Sequence, residues 1–154
     1  MRRQYQNNYP YFITTNTVKM SYGLFEDLEC AIIAATVIRT VTALYECTLY
    51  GYAIMPNHIH ILIQTNTDTH TISQTLNSMK SMIYKNIRDK KKIPSALWQK
   101  SFYDTTKSTK QLFNTAIEYM KQNPQKWELP KIYKAYPYQY YSSSDIKERL
   151  KLFI

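Results

Sequence analysis

Met55-Pro56-Asn57-His58-Ile59-His60-Ile61-Leu62-Ile63 holds two of the chain's three histidines, two residues apart, between isoleucines that alternate with them. That alternation is the signature of a half-buried strand. Successive side chains of a strand turn to opposite faces, so Ile59, Ile61 and Ile63 can enter a core while His58 and His60 point together the other way. Neutral imidazole is a common metal ligand. The pair could occupy two positions on a divalent ion and leave others for a third ligand and a substrate oxygen. Two ordinary surface histidines on a strand would read the same, so this stretch determines local structure before it determines chemistry.

The flanking sequence supplies a fold for this strand. Tyr9 to Thr17 is aromatic and β-branched and predicts a first strand, preceded by a basic arm at Arg2 and Arg3. From Glu26 to Leu44, apolar residues at Leu28, Ala31, Ile32, Ala35 and Ile38 recur at spacings of three and four and predict a helix. Tyr45 to Met55 is strand-like, and Pro56 and Asn57 supply turn chemistry before the histidine strand. After a polar turn at Thr65 to Thr69, Ile72, Leu76, Met79, Ile83 and Ile87 mark a second helix. Pro94 ends that pattern, and Leu97 to Thr105 reads as a strand. Strand, helix, two strands, helix, strand is the order of an α+β, ferredoxin-like antiparallel sheet with helices on one face. We expect one domain over residues 1–154, with no internal repeat.

A third helix follows. Ser108 with Gln111 forms a capping-box pattern, and Pro124 predicts a stop near Asn123, giving a helix over roughly Thr109 to Gln122. Phe113, Ile117 and Met120 define its buried centre, while Leu112, Ala116, Tyr119 and Asn123 run along one edge. Tyr119 and Asn123 are therefore neighbours at i and i+4, on the border between core and solvent. Taken singly, the tyrosine reads as a packing residue and the asparagine as a helix terminator.

The chain is strongly basic, with 20 Lys and Arg against 11 acidic residues and a formal net charge of +9. Such an excess favours polyanions through phosphate neutralisation and counterion release, which makes nucleic acid the leading partner class. Lys80, Lys85, Arg88, Lys90, Lys91 and Lys92 form the densest basic region, and with Arg2 and Arg3 they are the candidate nucleic-acid contacts. A solvated helix face with a charged loop would look alike. Fifteen tyrosines, five phenylalanines and two tryptophans suit stacking on unpaired bases, or simply strand composition. Cys30 and Cys47 are too few for a disulfide framework, which fits a reducing cytoplasm. No stretch approaches the roughly 18 uninterrupted apolar residues of a membrane span, so no membrane association is expected.

Taken together, Met55-Pro56-Asn57-His58-Ile59-His60, Trp98-Gln99 with Phe102-Tyr103-Asp104, and Tyr119-Met120-Lys121-Gln122-Asn123-Pro124 resemble the single-tyrosine HUH transposases. The closest likeness is to the REP-associated tyrosine transposase branch, in which an asparagine-proline pair follows the tyrosine. Tyr140-Tyr141-Ser142-Ser143 also looks like the family's tail. The resemblance implies that His58, His60 and Asn123 are ligands of a divalent metal, Mg²⁺ or Mn²⁺, and that Tyr119 is the catalytic nucleophile. It implies a transesterase that nicks and rejoins single-stranded or hairpin DNA through a 5′-phosphotyrosine, without a nucleotide cofactor, and a homodimer as one possible assembly.

The chain departs from that family after the asparagine-proline pair. Gln125-Lys126-Trp127-Glu128-Leu129 stands where many members have a small turn ending in glycine, and Gln122 lies one residue early for the glutamine ligand of the insertion-sequence branch. Other classes compete. A histidine-triad nucleotide hydrolase would need a third alternating histidine where Leu62 stands, and a zinc site from Cys30, Cys47, His58 and His60 would need four convergent side chains. The main alternative is a domesticated, non-catalytic protein that binds DNA or RNA hairpins.

Overall fold

A computed structural model describes residues 5–93 and 96–153. Strand β1 spans Tyr11–Thr17, helix α1 Leu28–Leu44, strand β2 Thr48–Ile54, strand β3 His58–Gln64, helix α2 Ile72–Lys90, strand β4 Trp98–Thr106 and helix α3 Lys110–Lys126. The expected ferredoxin-like α+β order is therefore present. A short strand β5, Gln139–Tyr141, and helix α4, Ser143–Leu152, extend it, and neither was anticipated as an element. The sheet is antiparallel throughout, in the order β4-β1-β3-β2-β5, which puts the histidine strand at its centre.

The pleat of β3 sorts its residues as its alternation predicts. Ile59, Ile61 and Ile63 enter a core made with α1 and α2, among Ala31, Ala34, Ile38, Leu76, Met79 and Ile83. Leu62 faces the other side, where Tyr50 and Ala53 of β2 meet Phe113, Ala116, Ile117 and Met120 of α3. His60 shares that second face, so α3 and the histidines lie together and α1 and α2 lie behind the sheet. Gly51 admits β5 to the edge: a Cβ there would sit 2.7 Å from the Tyr140 carbonyl oxygen and 2.7 Å from the Tyr141 ring.

Three local expectations are corrected. Helix α1 begins at Leu28, because Asp27 caps it by accepting hydrogen bonds from the Glu29 and Cys30 amides. Helix α3 is capped by Thr109, whose side chain accepts from the Leu112 amide, in place of the Ser108–Gln111 box. That helix also runs through Pro124 to Lys126. A proline inside a helix leaves the carbonyl four residues earlier without its donor. Here that carbonyl belongs to Met120 and accepts from Gln139 Nε2 of β5 at 3.3 Å, so a distant strand supplies the missing donor.

Candidate functional site

The site assembles from three elements. Strand β3 presents His58 and His60, β1 lies beside it in the register Thr14↔His60 and Asn16↔His58, and α3 crosses above with Tyr119 and Asn123. His58 Nε2 and His60 Nε2 lie 3.1 Å apart. His60 is 4 % exposed, and its Nδ1 meets Thr14 Oγ1 at 2.8 Å. Phe12 stacks on the His60 ring with centroids 5.2 Å apart. Burial lowers the pKa of His58, and burial together with its neighbour's charge pushes His60 down to about 3. Both imidazoles are therefore neutral at physiological pH, the state a metal requires.

Asn123 is 1 % exposed, with its Nδ2 3.4 Å from His60 Nε2 and its buried Oδ1 without a hydrogen-bond partner. A half-turn of the amide exchanges oxygen and nitrogen and aims the acceptor at the imidazoles. Two neutral imidazole nitrogens this close must share one hydrogen between them unless a cation takes both lone pairs. Nitrogens bound at right angles about 2.1 Å from one ion lie about 3 Å apart, and His60 Nδ1–H would then donate to Thr14 Oγ1. Two imidazoles and an otherwise unsatisfied amide oxygen thus fit a divalent cation. Among the described residues no cluster of three or more His, Cys, Asp and Glu exists, so the third protein ligand would have to be of another type. Exposed Gln122 lines the pocket outside, whereas Asn123 meets His60.

Tyr119 stands beside this cluster, 42 % exposed, its ring edge-on to His60 at 5.4 Å and to Phe12 at 6.0 Å. It separates two openings. One, about 760 Å³, is lined by Tyr119, Gln122, Asn123, Gln125 and Lys126. The other, about 380 Å³, runs toward β4 and includes Phe12, Thr14, Tyr103, Lys107 and Tyr119. Lys126 Nζ lies 5.9 Å from the Tyr119 ring centroid and Lys107 Nζ 5.8 Å from that of Phe12. A half-exposed phenol, two neutral imidazoles with an unsatisfied amide, and a lysine on either side thus meet at one border of the sheet.

The basic region read from the sequence is elsewhere. Lys85, Arg88 and Lys90 belong to α2, behind the sheet, and Lys91 and Lys92 directly follow it. Lys80 corrects the expectation outright: it is buried, with Nζ donating to the Gln99 carbonyl at 3.0 Å, and burial lowers its pKa. Lys91 pairs with Asp27 at 2.8 Å and Glu29 at 3.3 Å, and Lys90 lies 3.9 Å from Glu29. Arg2 and Arg3 fall outside the described residues. Two cations beside the site, Lys107 and Lys126, went unnoticed because neither sits in a basic run. Thr14 was missed as well, because its place beside His60 depends on the pairing of β1 with β3.

Comparison with known proteins bears on this arrangement. A family described as "Transposase IS200 like" matches residues 8–123. The structure of a REP-associated tyrosine transposase bound to a REP hairpin superposes with a TM-score of 0.75, at 16% identity, over 90% of this chain and 80% of that one. The crystal structure of a candidate transposase from Deinococcus radiodurans R1 superposes with a TM-score of 0.53, at 16% identity, over 79% of this chain and 95% of that one. Among curated proteins the sequence finds no significant match.

Proposed function

The chain belongs to the IS200-like transposase family, and on that premise we propose that it is a metal-dependent transesterase that nicks and rejoins single-stranded DNA beside a hairpin. The observation that carries this reading is the meeting of His58, His60 and the unsatisfied amide of Asn123 next to half-exposed Tyr119. His58, His60 and Asn123 would hold the cation, Mg²⁺ or Mn²⁺. When bound there, it would withdraw charge from a nonbridging phosphate oxygen.

The protein's own residues do the rest. Thr14 fixes the His60 ring and its tautomer, as partners of metal-ligating imidazoles do. Phe12 packs on His60 and against Tyr119, restricting both rings. Tyr119 Oη attacks phosphorus and the bond from phosphorus to the 3′-oxygen breaks. The phenolic proton is lost, the 3′-oxygen gains one, and the products are a 5′-phosphotyrosine and a 3′-hydroxyl. The ester conserves the phosphodiester's reactivity, so another 3′-hydroxyl can reverse the step and join a new strand. Lys107 and Lys126 flank the tyrosine and receive the phosphates on either side of it. Lys85, Arg88, Lys90 and Lys92, on the far side of the sheet, add general attraction rather than contact at the reacting phosphate.

The test is incubation of the protein with labelled hairpin DNA and Mn²⁺ or Mg²⁺, using DNA flanking the gene, read on a denaturing gel. A covalent adduct should form, and it should vanish with chelator and in Tyr119→Phe while hairpin binding persists. Equal cleavage by Tyr119→Phe would sink the nucleophile assignment. Tight binding without any adduct would leave the non-catalytic hairpin binder.

A further inference from the structure

A third opening, about 640 Å³, is lined by His58 but not by Tyr119, and among others by Tyr22, Gly23, Glu26, Asn57 and Trp127. Its walls come from the part of the sequence that departs from the resembling family, Gln125 to Leu129, and from the Met-Pro-Asn turn before the histidines. From this juxtaposition we propose that the opening is a guanine pocket, which takes one of the two bases flanking the scissile phosphate and reads it with the Glu26 carboxylate.

The pocket is built rather than incidental. Gly23 adopts a left-handed conformation, φ 83°, and its amide donates to Asn57 Oδ1 at 2.6 Å. The following 3₁₀ turn, Leu24–Glu26, is tied down by the Phe25 amide on the Pro56 carbonyl at 3.4 Å, and by the Tyr138 hydroxyl, which donates to the Phe25 carbonyl at 2.9 Å. Phe25 itself is fully buried. A Cβ at position 23 would lie 3.3 Å from Glu26 Oε2, so glycine keeps the space beside the carboxylate clear. The pocket therefore has a fixed wall whose chemical feature is an acid.

Two large rings stand at that wall's border in solvent, Trp127 at 62% and Tyr22 at 54% exposure. Exposed aromatic faces beside a phosphate-handling site are stacking platforms for unpaired bases. Trp127 is carried there because α3 continues through Pro124 and ends at Trp127, whose amide donates to the Asn123 carbonyl.

The carboxylate decides which base. In a chain of net charge +9 that binds a polyanion, an acid at the site repels phosphate unless it meets donors. No cation among the described residues pairs with Glu26. An ionised carboxylate only accepts hydrogen bonds and prefers two parallel donors. In an unpaired strand guanine alone presents two adjacent donors on one edge, its ring N–H and its exocyclic amino group. Adenine and cytosine offer one donor beside an acceptor, and thymine one donor between two acceptors.

The inference rests on the transesterase reading for the strand that delivers the base, so its test has a readout that does not depend on cleavage. Trp127 fluorescence in the full-length protein is titrated with dGMP, dAMP, dCMP, dTMP and dIMP, which lacks the exocyclic amino group, using Trp127→Phe to subtract Trp98. We expect dGMP to quench at concentrations on the order of tenfold below the others and Glu26→Gln to erase the difference. Equal quenching by all five, or a guanine preference that survives Glu26→Gln, overturns the pocket. Hairpins with each base beside the cut give the second readout. Tyr119 adducts formed equally with all four bases sink the pocket and leave the transesterase. Guanine-selective quenching with no adduct on any hairpin sinks the transesterase and leaves the pocket.

Discussion

His60 is the residue at which burial, chemistry and stability meet. Folding lowers its pKa from an ordinary value near 6.5 to about 3, so between those pH values the unfolded chain binds more protons and stability rises with pH. The metal-free protein should lose stability on acidification from pH 7, by about 2 kcal/mol at pH 5 from this residue. Urea midpoints across that range check this, and His60→Gln should flatten the dependence. Thr14 acts on the same ring. Removing its hydroxyl with Thr14→Val should weaken Mn²⁺ binding by about 10- to 100-fold, measured by titration calorimetry, with little change in hairpin affinity; unchanged Mn²⁺ affinity would show that Thr14 does not orient the ligand. The two histidines were legible in the sequence because a period of two requires a shared face. Thr14 was not, because strand pairing is a long-range fact.

At the scale of elements, α3 shows how tertiary contact overrides a local rule. The asparagine-proline pair predicts a helix end, yet the helix continues because Gln139 of β5 donates to the Met120 carbonyl. The consequence reaches the site, since the extra turn carries Lys126 and ends at Trp127. Gln139→Ala should leave the Met120 carbonyl unsatisfied and cost about 1–3 kcal/mol, seen as a lower urea midpoint. If the reading of α3 is right, the same change loosens its last turn and lowers Tyr119 adduct formation more than it lowers hairpin binding. Wild-type stability in Gln139→Ala would mean that Pro124 is tolerated for another reason. Strand β5 was itself invisible as an element, three residues being too short to show periodicity, whereas α4 went unread although Ile146, Leu150 and Phe153 recur at helical spacing after the Ser142 cap.

Over the whole molecule, charge and chemistry are distributed differently from the basic runs of the sequence. The α2 cations lie behind the sheet and are partly spent on Asp27 and Glu29, while isolated Lys107 and Lys126 flank the tyrosine. Hairpin binding should weaken linearly in log[salt]. Lys107→Ala and Lys126→Ala should each reduce that slope by about 1, and Lys80→Ala and Lys91→Ala should leave it unchanged. Filter binding across a salt series decides between them; a slope lost at Lys91 and kept at Lys126 would move the DNA to the α2 face. Among the described residues no helix is long and apolar enough to cross a membrane.

The sequence by itself determined the order of the first seven elements, the shared face of His58 and His60, and the neighbouring positions of Tyr119 and Asn123. Each follows from periodicity within one segment. Only the tertiary structure decided that α3 lies over the histidines, that Asn123 rather than Gln122 meets them, that Lys80 turns inward, and that Trp127 and Glu26 line one pocket. These depend on strand register and helix placement, which are set by packing between residues far apart in the chain and leave no period in the sequence.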